Sequence, residues 1–350
     1  MSTSNSSGTE RGLRPDGRVL SALDHLHAGR QHDRAARLDQ AAASYEAALD
    51  ANTGDPAIDA EALRHLAIVR VLQSRPVEAE ALCRRSINLS RPLGDTSLVA
   101  LGLNALGGIC LERGELDQAK VAFEEAGALD VSDKDLAARI EQNLGIIANV
   151  RGQWTVARTH YTKSLAAFEQ TGDAHGAAVA HHNLGMISAD RDEWDTAHHH
   201  YTEARRLAHQ SGDVRLYGLC NLNSAEVSLA RQLYAQAREE AESAFTTFHH
   251  AGATIDEADA CRVLGVVCRE TGRLALAETY LMSALSLTVP TGSAVSRAEV
   301  CRDLGLVCLE TGREQEALKW LAEAEQLFIA AGLVHEVVGL QPKLIALRVA

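Results

Sequence analysis

The sequence predicts an all-α protein built from stacked helical hairpins. Residues 264–292 and 304–332 carry nearly the same letters forty positions apart, including a shared Glu-Thr-Gly-Arg turn. Hydrophobic residues make up 46% of the chain, but aromatic residues make up only 4%. Because strands are usually rich in aromatic and β-branched residues, this composition favours closely packed helices.

Eight copies of one pattern account for most of the chain. They start near residues 28, 66, 106, 144, 184, 224, 264 and 304. A typical copy has Leu at its start, Gly beside it, a turn residue at plus eight and Ala at plus thirteen. An aromatic residue or Leu follows at plus seventeen, and Gly at plus twenty-eight. The copies at 66 and 224 depart most, because they lack the glycine after the start.

Each recurring position has a physical role. The glycine beside the start lets a neighbouring helix approach closely, and the plus-eight residue ends the first helix. An apolar residue at plus ten opens the second helix: Leu116, Trp154, Trp194, Tyr234 and Leu274. The glycine at plus twenty-eight suits a left-handed C-cap, and the next residue suits an N-cap: Asp95, Asp173, Asp213 and Ser293. One such hairpin cannot bury its own apolar side, so the copies must stack.

This pattern resembles the tetratricopeptide repeat in its long form of about forty residues, found in kinesin light chains, spindle-orientation adaptors and many bacterial regulators. The resemblance covers roughly residues 18–335 and implies a right-handed superhelical solenoid of about eight hairpins. Residues 1–17 are polar and predict a disordered tail. Residues 336–350 predict a C-terminal capping helix, interrupted at Pro342. This segment is unusually apolar, so it either packs on the eighth copy or contacts a partner or a second chain.

Charge and composition exclude several classes of partner. The formal net charge is −13 and no basic stripe occurs, which disfavours nucleic acid and anionic membrane surfaces. No window reaches the roughly eighteen apolar residues of a membrane-spanning helix. The amino terminus lacks an apolar signal core, and the seven cysteines include no C-x-x-C pair, which together predict a cytoplasmic protein with reduced thiols.

Cysteine and histidine patterns suggest a metal site, but their positions favour other roles. Cys110, Cys268 and Cys308 share the plus-four position, where other copies have small residues, so they predict core packing. The consecutive histidines 198–200 point in different directions on a helix and predict a solvated surface. We therefore predict no metal and no cofactor. Phosphate loops, nucleophile elbows and zinc-protease motifs are also missing from the sequence, so we predict a protein that is not an enzyme.

The resemblance implies that the first helix of each copy lines a concave groove. Its minus-one position carries Asn143, Asn183 and Asn223 in three consecutive copies. An amide side chain has one acceptor and two donors, which match the backbone of an extended peptide. We therefore expect these asparagines to clamp a peptide. The alternative is that they stabilise the repeat itself.

Charged and polar side chains flank this row. The minus-two position carries Gln142, His182, Arg262 and Arg302, and Arg269 stands at plus five. The arginines could form a fork for a ligand carboxylate. The alternative is neutralisation in place by Glu270, Glu299 and Asp303.

These residues predict an adaptor or scaffold that binds an extended peptide or a helix of a partner protein. A second hypothesis is a regulatory sensor whose solenoid compacts when a peptide binds. A third is self-assembly as a homodimer through the apolar C-terminal helix. All three hypotheses place the function in protein contacts spread over a preformed surface.

Overall fold

A computed structural model describes residues 21–51, 54–129, 132–291 and 293–349. These residues form seventeen α-helices and one short 3-10 turn, Arg91–Leu93, and no strand occurs among them. The all-α fold class predicted from the sequence is therefore confirmed. The predicted disordered tail, residues 1–17, and the predicted cap residue Gly292 lie outside the described residues.

The chain divides into two compact units, Met1–Ala167 and Phe168–Ala350. The first unit contains α1 (Ala22–Arg34), α2 (Leu38–Asp50), α3 (Pro56–Leu72), α4 (Pro76–Ser90), α5 (Thr96–Glu112), α6 (Leu116–Gly127) and α7 (Lys134–Val150). Helix α8 (Trp154–Thr171) crosses the boundary. The second unit contains α9 (Ala174–Ala189), α10 (Trp194–Ser211), α11 (Val214–Ala230), α12 (Tyr234–Ala251), α13 (Thr254–Glu270), α14 (Leu274–Thr291), α15 (Ala294–Glu310), α16 (Glu314–Ala330) and α17 (Val334–Val349).

Consecutive helices pack as hairpins, such as α9 with α10 and α13 with α14. Each of the eight predicted start residues lies in the first helix of a pair. The second helices begin at the apolar residues predicted for plus ten, at Leu116, Trp154, Trp194, Tyr234 and Leu274. These helix starts are therefore confirmed.

In six of the eight hairpins, a glycine of the first helix packs against a large side chain of the second. In α9, a Cβ on Gly185 would lie 2.6 Å from the ring of Tyr201 in α10, and that ring is buried. Gly107 and Phe123 make the same contact between α5 and α6. All seven cysteines are buried and unpaired, which confirms their predicted packing role. The hairpin core is thus made of small residues on the first helix and large residues on the second.

The predicted caps form at most hairpin junctions. Gly212 has φ 75°, and Asp213 accepts a hydrogen bond from the Leu216 backbone N–H. Asp95 and Asp173 cap α5 and α9 in the same way. Ser293 is the exception, because its hydroxyl donates to the Ser296 hydroxyl and makes no cap bond with α15. Ser293 therefore lies at the predicted N-cap position of α15 with an extended backbone, but without a side-chain cap bond.

The C-terminal helix differs from its prediction in one respect. Helix α17 begins at Val334 and continues through Pro342 instead of being interrupted there. Pro342 and Val338, whose carbonyl loses its helical partner, are both exposed, so solvent can satisfy that carbonyl. Leu340 and Leu344 are buried against α16, which confirms packing on the eighth copy.

Candidate functional site

The predicted peptide-binding side chains lie on first helices and are half-buried. Gln142 and Asn143 lie on α7 in the first unit, and His182, Asn183 and Asn223 lie on α9 and α11 in the second. Neighbouring first helices pack against each other within each unit, as α5 does with α7 and α11 with α13. Each unit therefore has a continuous face of first helices, which we call the first-helix face.

In three copies, the minus-one residue contacts the minus-two residue of the copy before it. Asn143 donates from Nδ2 to Asn104 Oδ1 at 3.2 Å in the first unit. In the second unit, Asn223 Nδ2 lies 2.9 Å from His182 Nε2. The same two positions form an ion pair in a later copy, where Asp303 lies 3.5 Å from Arg262. Asn143 and Asn223 therefore join adjacent repeats, in keeping with the alternative role considered from the sequence.

The bond between His182 and Asn223 fixes the state of the imidazole. An amide nitrogen only donates, so His182 Nε2 must accept and the ring is neutral. Burial lowers the pKa of His182, and the adjacent Asn183 amide partly opposes this shift. The ring of Tyr201 lies 5.9 Å away. His182 and Asn223 thus form a neutral, hydrogen-bonded pair on the first-helix face.

Gln142 and Asn183 are placed differently from the joined asparagines. Gln142 Oε1 is buried and has no hydrogen-bond partner among the residues that the structure describes. Asn183 lies beside the His182 ring on the same helix. Whether either side chain touches a peptide stays a prediction.

The arginine prediction changes most in the structure. The Arg262 side chain is only 13% exposed, and it contacts Glu226 at 2.8 Å, Glu299 at 3.4 Å and Asp303 at 3.5 Å. Burial lowers the pKa of Arg262, but these carboxylates together outweigh burial and the net shift is upward. A guanidinium already enclosed by three carboxylates does not form an open fork for a ligand carboxylate.

The other two arginines are also paired. Arg302 donates to Asp303 at 3.1 Å and to Glu336 at 2.9 Å. Arg269 contacts Glu270 and lies 3.6 Å from Glu310. Neutralisation in place, the alternative considered from the sequence, therefore describes all three arginines.

The cluster around Arg262 carries more negative than positive groups. We call it the acidic cluster: Glu226, Asp259, Arg262, Glu299, Arg302, Asp303 and Glu336. Burial raises the pKa of Asp259 to about 6, with Arg262 opposing the shift and Glu299 adding to it. Burial also raises the pKa of Glu299. Burial is the main cause of both shifts, and for each group Arg262 lowers the pKa while neighbouring carboxylates raise it.

Sequence reasoning missed several residues of this face. Asn104 and Glu226 pair with Asn143 and Arg262, and Asp259 belongs to the acidic cluster. Only their place in the repeat could have indicated these residues. Glu226 is at plus two and Asp259 is at minus five, and both positions lie on the first-helix face. No single residue type fills either position in most copies, so the repeat pattern alone did not single them out.

The described residues show neither a metal-ligand group nor a spanning helix. No three His, Cys, Asp or Glu side chains within those ranges are arranged to hold a metal ion. Among the same residues, no helix combines the length and apolar character needed to cross a membrane.

Comparison with known families identifies the class of protein. Two family profiles, both described as tetratricopeptide repeat, match this chain: one over residues 136–210 and 256–330, the other over residues 26–92. The matched segments make up more than half of the chain. The protein therefore belongs to the tetratricopeptide repeat family.

Solved structures share the fold at low sequence identity. A signal transduction ATPase with numerous domains from Pyrococcus horikoshii, which has a tetratricopeptide repeat sensor, superposes with a TM-score of 0.71 at 16% identity, over 91% of this chain and 50% of that one. A Rap protein complexed with competence and sporulation factor gives a TM-score of 0.61 at 11% identity, over 93% and 97%. The apo form of RapI gives 0.60 at 16% identity, over 77% and 97%. No curated protein matches the sequence significantly.

Proposed function

We propose that this protein is a non-enzymatic interaction scaffold. Its first-helix face would bind an extended peptide or a helix of a partner protein. The observation that carries the proposal is the row of half-buried polar side chains on this face, which neighbouring repeats hold in fixed positions. A preformed polar row lowers the entropic cost of ordering a ligand, because the side chains are already immobilised.

Asn183 and Asn223 would bond the peptide backbone in the second unit. Asn223 uses its amide nitrogen on His182, so its carbonyl oxygen is the group suited to accept from a peptide N–H. The likeness of fold to a Rap protein complexed with competence and sporulation factor supports a ligand-binding role for such a fold.

The acidic cluster revises the expected charge of the ligand. Arg262 and Arg302 are enclosed by carboxylates, and the cluster as a whole is negative. A Lys or Arg side chain of the ligand would relieve this surplus, whereas an acidic side chain would add to it. The proposed ligand therefore places a basic residue, not an acidic one, beside α13 and α15.

The first experiment measures ligand selection by the full chain. Random short peptides displayed on phage are selected on wild-type protein and on Asn143→Ala/Asn183→Ala/Asn223→Ala, whose folding is checked by circular dichroism. We expect wild type to enrich peptides rich in Lys and Arg, and the folded triple variant to lose at least tenfold in affinity for them, about 1.4 kcal/mol. Asn88→Ala, which changes an exposed amide on the second helix α4, is the control.

Two results would contradict the proposal. One is unchanged peptide affinity in a folded triple variant, and the other is enrichment of acidic peptides. Small-angle scattering of the same protein with and without an enriched peptide separates the scaffold from the sensor hypothesis. A scaffold keeps its radius of gyration, whereas a sensor that compacts loses part of it.

A second candidate function, self-association through α17, has its own supporting observation. In the preceding first helices, the minus-six and plus-one positions hold Ala or Gly and are buried against the second helix, as Ala298 and Gly305 are on α15. The same positions on α17 hold Val338 and Ile345, which are 64% and 56% exposed. With Val334, they form an apolar strip that a second copy of the chain could cover.

Sedimentation across micromolar concentrations tests this candidate. We expect wild type to show a concentration-dependent dimer that Val338→Ser/Ile345→Ser abolishes. Val121→Ser, which changes a valine of equal exposure on α6, should leave the dimer intact. A wild-type chain that stays monomeric throughout would remove the candidate.

A further inference from the structure

Two neighbouring hairpins have different side-chain pairs at the same two positions of the repeat. Between α7 and α8, His160 Nδ1 lies 2.7 Å from Glu141 Oε2. Forty residues further on, between α9 and α10, His200 Nδ1 lies 2.9 Å from His181 Nδ1. The first pair joins a base to a carboxylate. The second pair joins two bases, so His200 departs from the solvated surface predicted for the histidines at 198–200, whereas His199 is exposed as predicted.

The His181–His200 contact tolerates one added proton but not two. In the neutral pair, one Nδ1 donates and the other accepts. A first proton adds to the Nε2 that carries no hydrogen in the donor tautomer, and the hydrogen bond between the two Nδ1 atoms persists. A second proton must occupy the accepting Nδ1, which breaks the bond and leaves two cations in contact. The pair therefore titrates in two coupled steps, and the second step opposes the packing of α9 on α10.

The surroundings of His181 reinforce this behaviour. The residue is only 8% exposed, and burial is the main cause that lowers its pKa. Glu169 from α8 and Glu203 from α10 act in the opposite direction, while His199 and Arg206 from α10 add to the lowering. The ring of His199 also lies 5.5 Å from His200. The carboxylates thus reduce the cost of protonation but do not remove it.

The next residue on α9 links the same region to α11. Neutral His182 accepts from Asn223 Nδ2, with Tyr201 of α10 facing the ring. Protonation turns His182 Nε2 into a donor, so the Asn223 amide must rotate and present Oδ1 to the ring. Rotation exchanges the places of the Asn223 carbonyl oxygen and amide nitrogen, so the side that held the acceptor then holds the donors. A proton at His182 therefore reverses the hydrogen-bonding character of Asn223 on the first-helix face.

We propose that α9, α10 and α11 form an acid-responsive section of the chain: two adjacent histidines of α9 keep it closed while they are neutral, and their protonation loosens α9 from α10 and reverses the Asn223 amide. The loosening itself does not depend on the proposed peptide function. If a peptide does bind Asn223, acid weakens its binding.

The test swaps the two kinds of side-chain pair: it places a carboxylate beside histidine in α9–α10 and a second histidine in α7–α8. Hydrogen exchange with mass spectrometry measures the protection of α7–α8 and α9–α10 amides in the full chain at about pH 7.5 and pH 5.5, corrected for intrinsic exchange. In wild type we expect α9–α10 protection to fall about tenfold, because an unfolded histidine binds protons near pH 6.5 and the closed section resists them. His181→Glu should reduce the fall to the part that His182 contributes, and Glu141→His should create a fall in α7–α8.

A control and a second variant keep the outcome clear. His335→Gln changes a histidine that is 76% exposed on α17 and should alter neither hairpin. If His181→Glu fails to fold, His200→Gln removes the second base while retaining an amide that can donate and accept. Equal protection of wild-type α9–α10 at both pH values would overturn the proposal. So would the same fall in His181→Glu.

Discussion

At the scale of single residues, the turn inside each hairpin depends on one left-handed position. The plus-eight residue has positive φ in all eight copies. Four copies fill it with glycine, at Gly114, Gly152, Gly272 and Gly312, and four with other residues, at Ala36, Ser74, Asp192 and Gln232. The turn thus keeps the same backbone conformation in the copies that lack the glycine. In those copies the non-glycine residue is strained.

Two adjacent glycines of α5 differ sharply in what they permit. A Cβ on Gly107 would lie 2.6 Å from the ring of Phe123, whereas a Cβ on Gly108 would meet no atom within 4 Å. Gly107→Ala should therefore lower the free energy of unfolding by about 1–3 kcal/mol through overpacking. Gly108→Ala should raise it by about 0.5–1 kcal/mol, since alanine is the better helix former.

Urea unfolding followed by circular dichroism checks this pair of variants. The two substitutions add the same methyl group to neighbouring residues, so each serves as the control for the other. Equal effects would show that the hairpins do not depend on the close contact between Gly107 and Phe123.

At the scale of helices, both exposed and more buried ion pairs connect successive repeats. Exposed pairs such as Arg231 with Asp195 lie at the surface and contribute at most about 1 kcal/mol each. The contacts of Arg262 between α11, α13 and α15 are more buried, so they fix which carboxylate meets which guanidinium. The surplus of carboxylates there makes the acidic cluster a source of pH dependence.

Asp259 on α13 should destabilise the fold at neutral pH. Its pKa in the fold is about 6, above its ordinary value of 3.8, so its contribution to stability is complete below about pH 3.8 and is lost as the pH rises through 6. Asp259→Asn should therefore raise the free energy of unfolding at about pH 7.5, on the order of 1 kcal/mol, and change it little at about pH 4.

Thermal unfolding at the two pH values measures this difference. Asp303→Asn is the control within the cluster, because Asp303 contacts both Arg262 and Arg302 and its loss should lower stability at neutral pH. A lower melting temperature of Asp259→Asn at neutral pH would refute the assignment of surplus negative charge.

At the scale of the whole molecule, each helix contacts mainly the helices next to it in the sequence. Repeat proteins of this kind behave as a chain of local interfaces, so a change in one hairpin affects its neighbours first. This locality is why the same two positions can hold a Glu–His pair in one hairpin and a His–His pair in the next. The net charge of −13 would extend to long range the preference for basic ligands that we propose for the acidic cluster.

The sequence alone determined the fold class, the family, the helix starts at plus ten and the buried cysteines. These features follow from residues that recur at fixed spacing, because hairpin packing repeats the same small and large positions. Only the tertiary structure decided that Asn143 and Asn223 bond the preceding repeat, that carboxylates enclose Arg262, and that His181 meets His200. Those contacts join side chains about 20 or 40 residues apart. The residue types in contact differ from copy to copy, so the contacts form only once the helices have stacked.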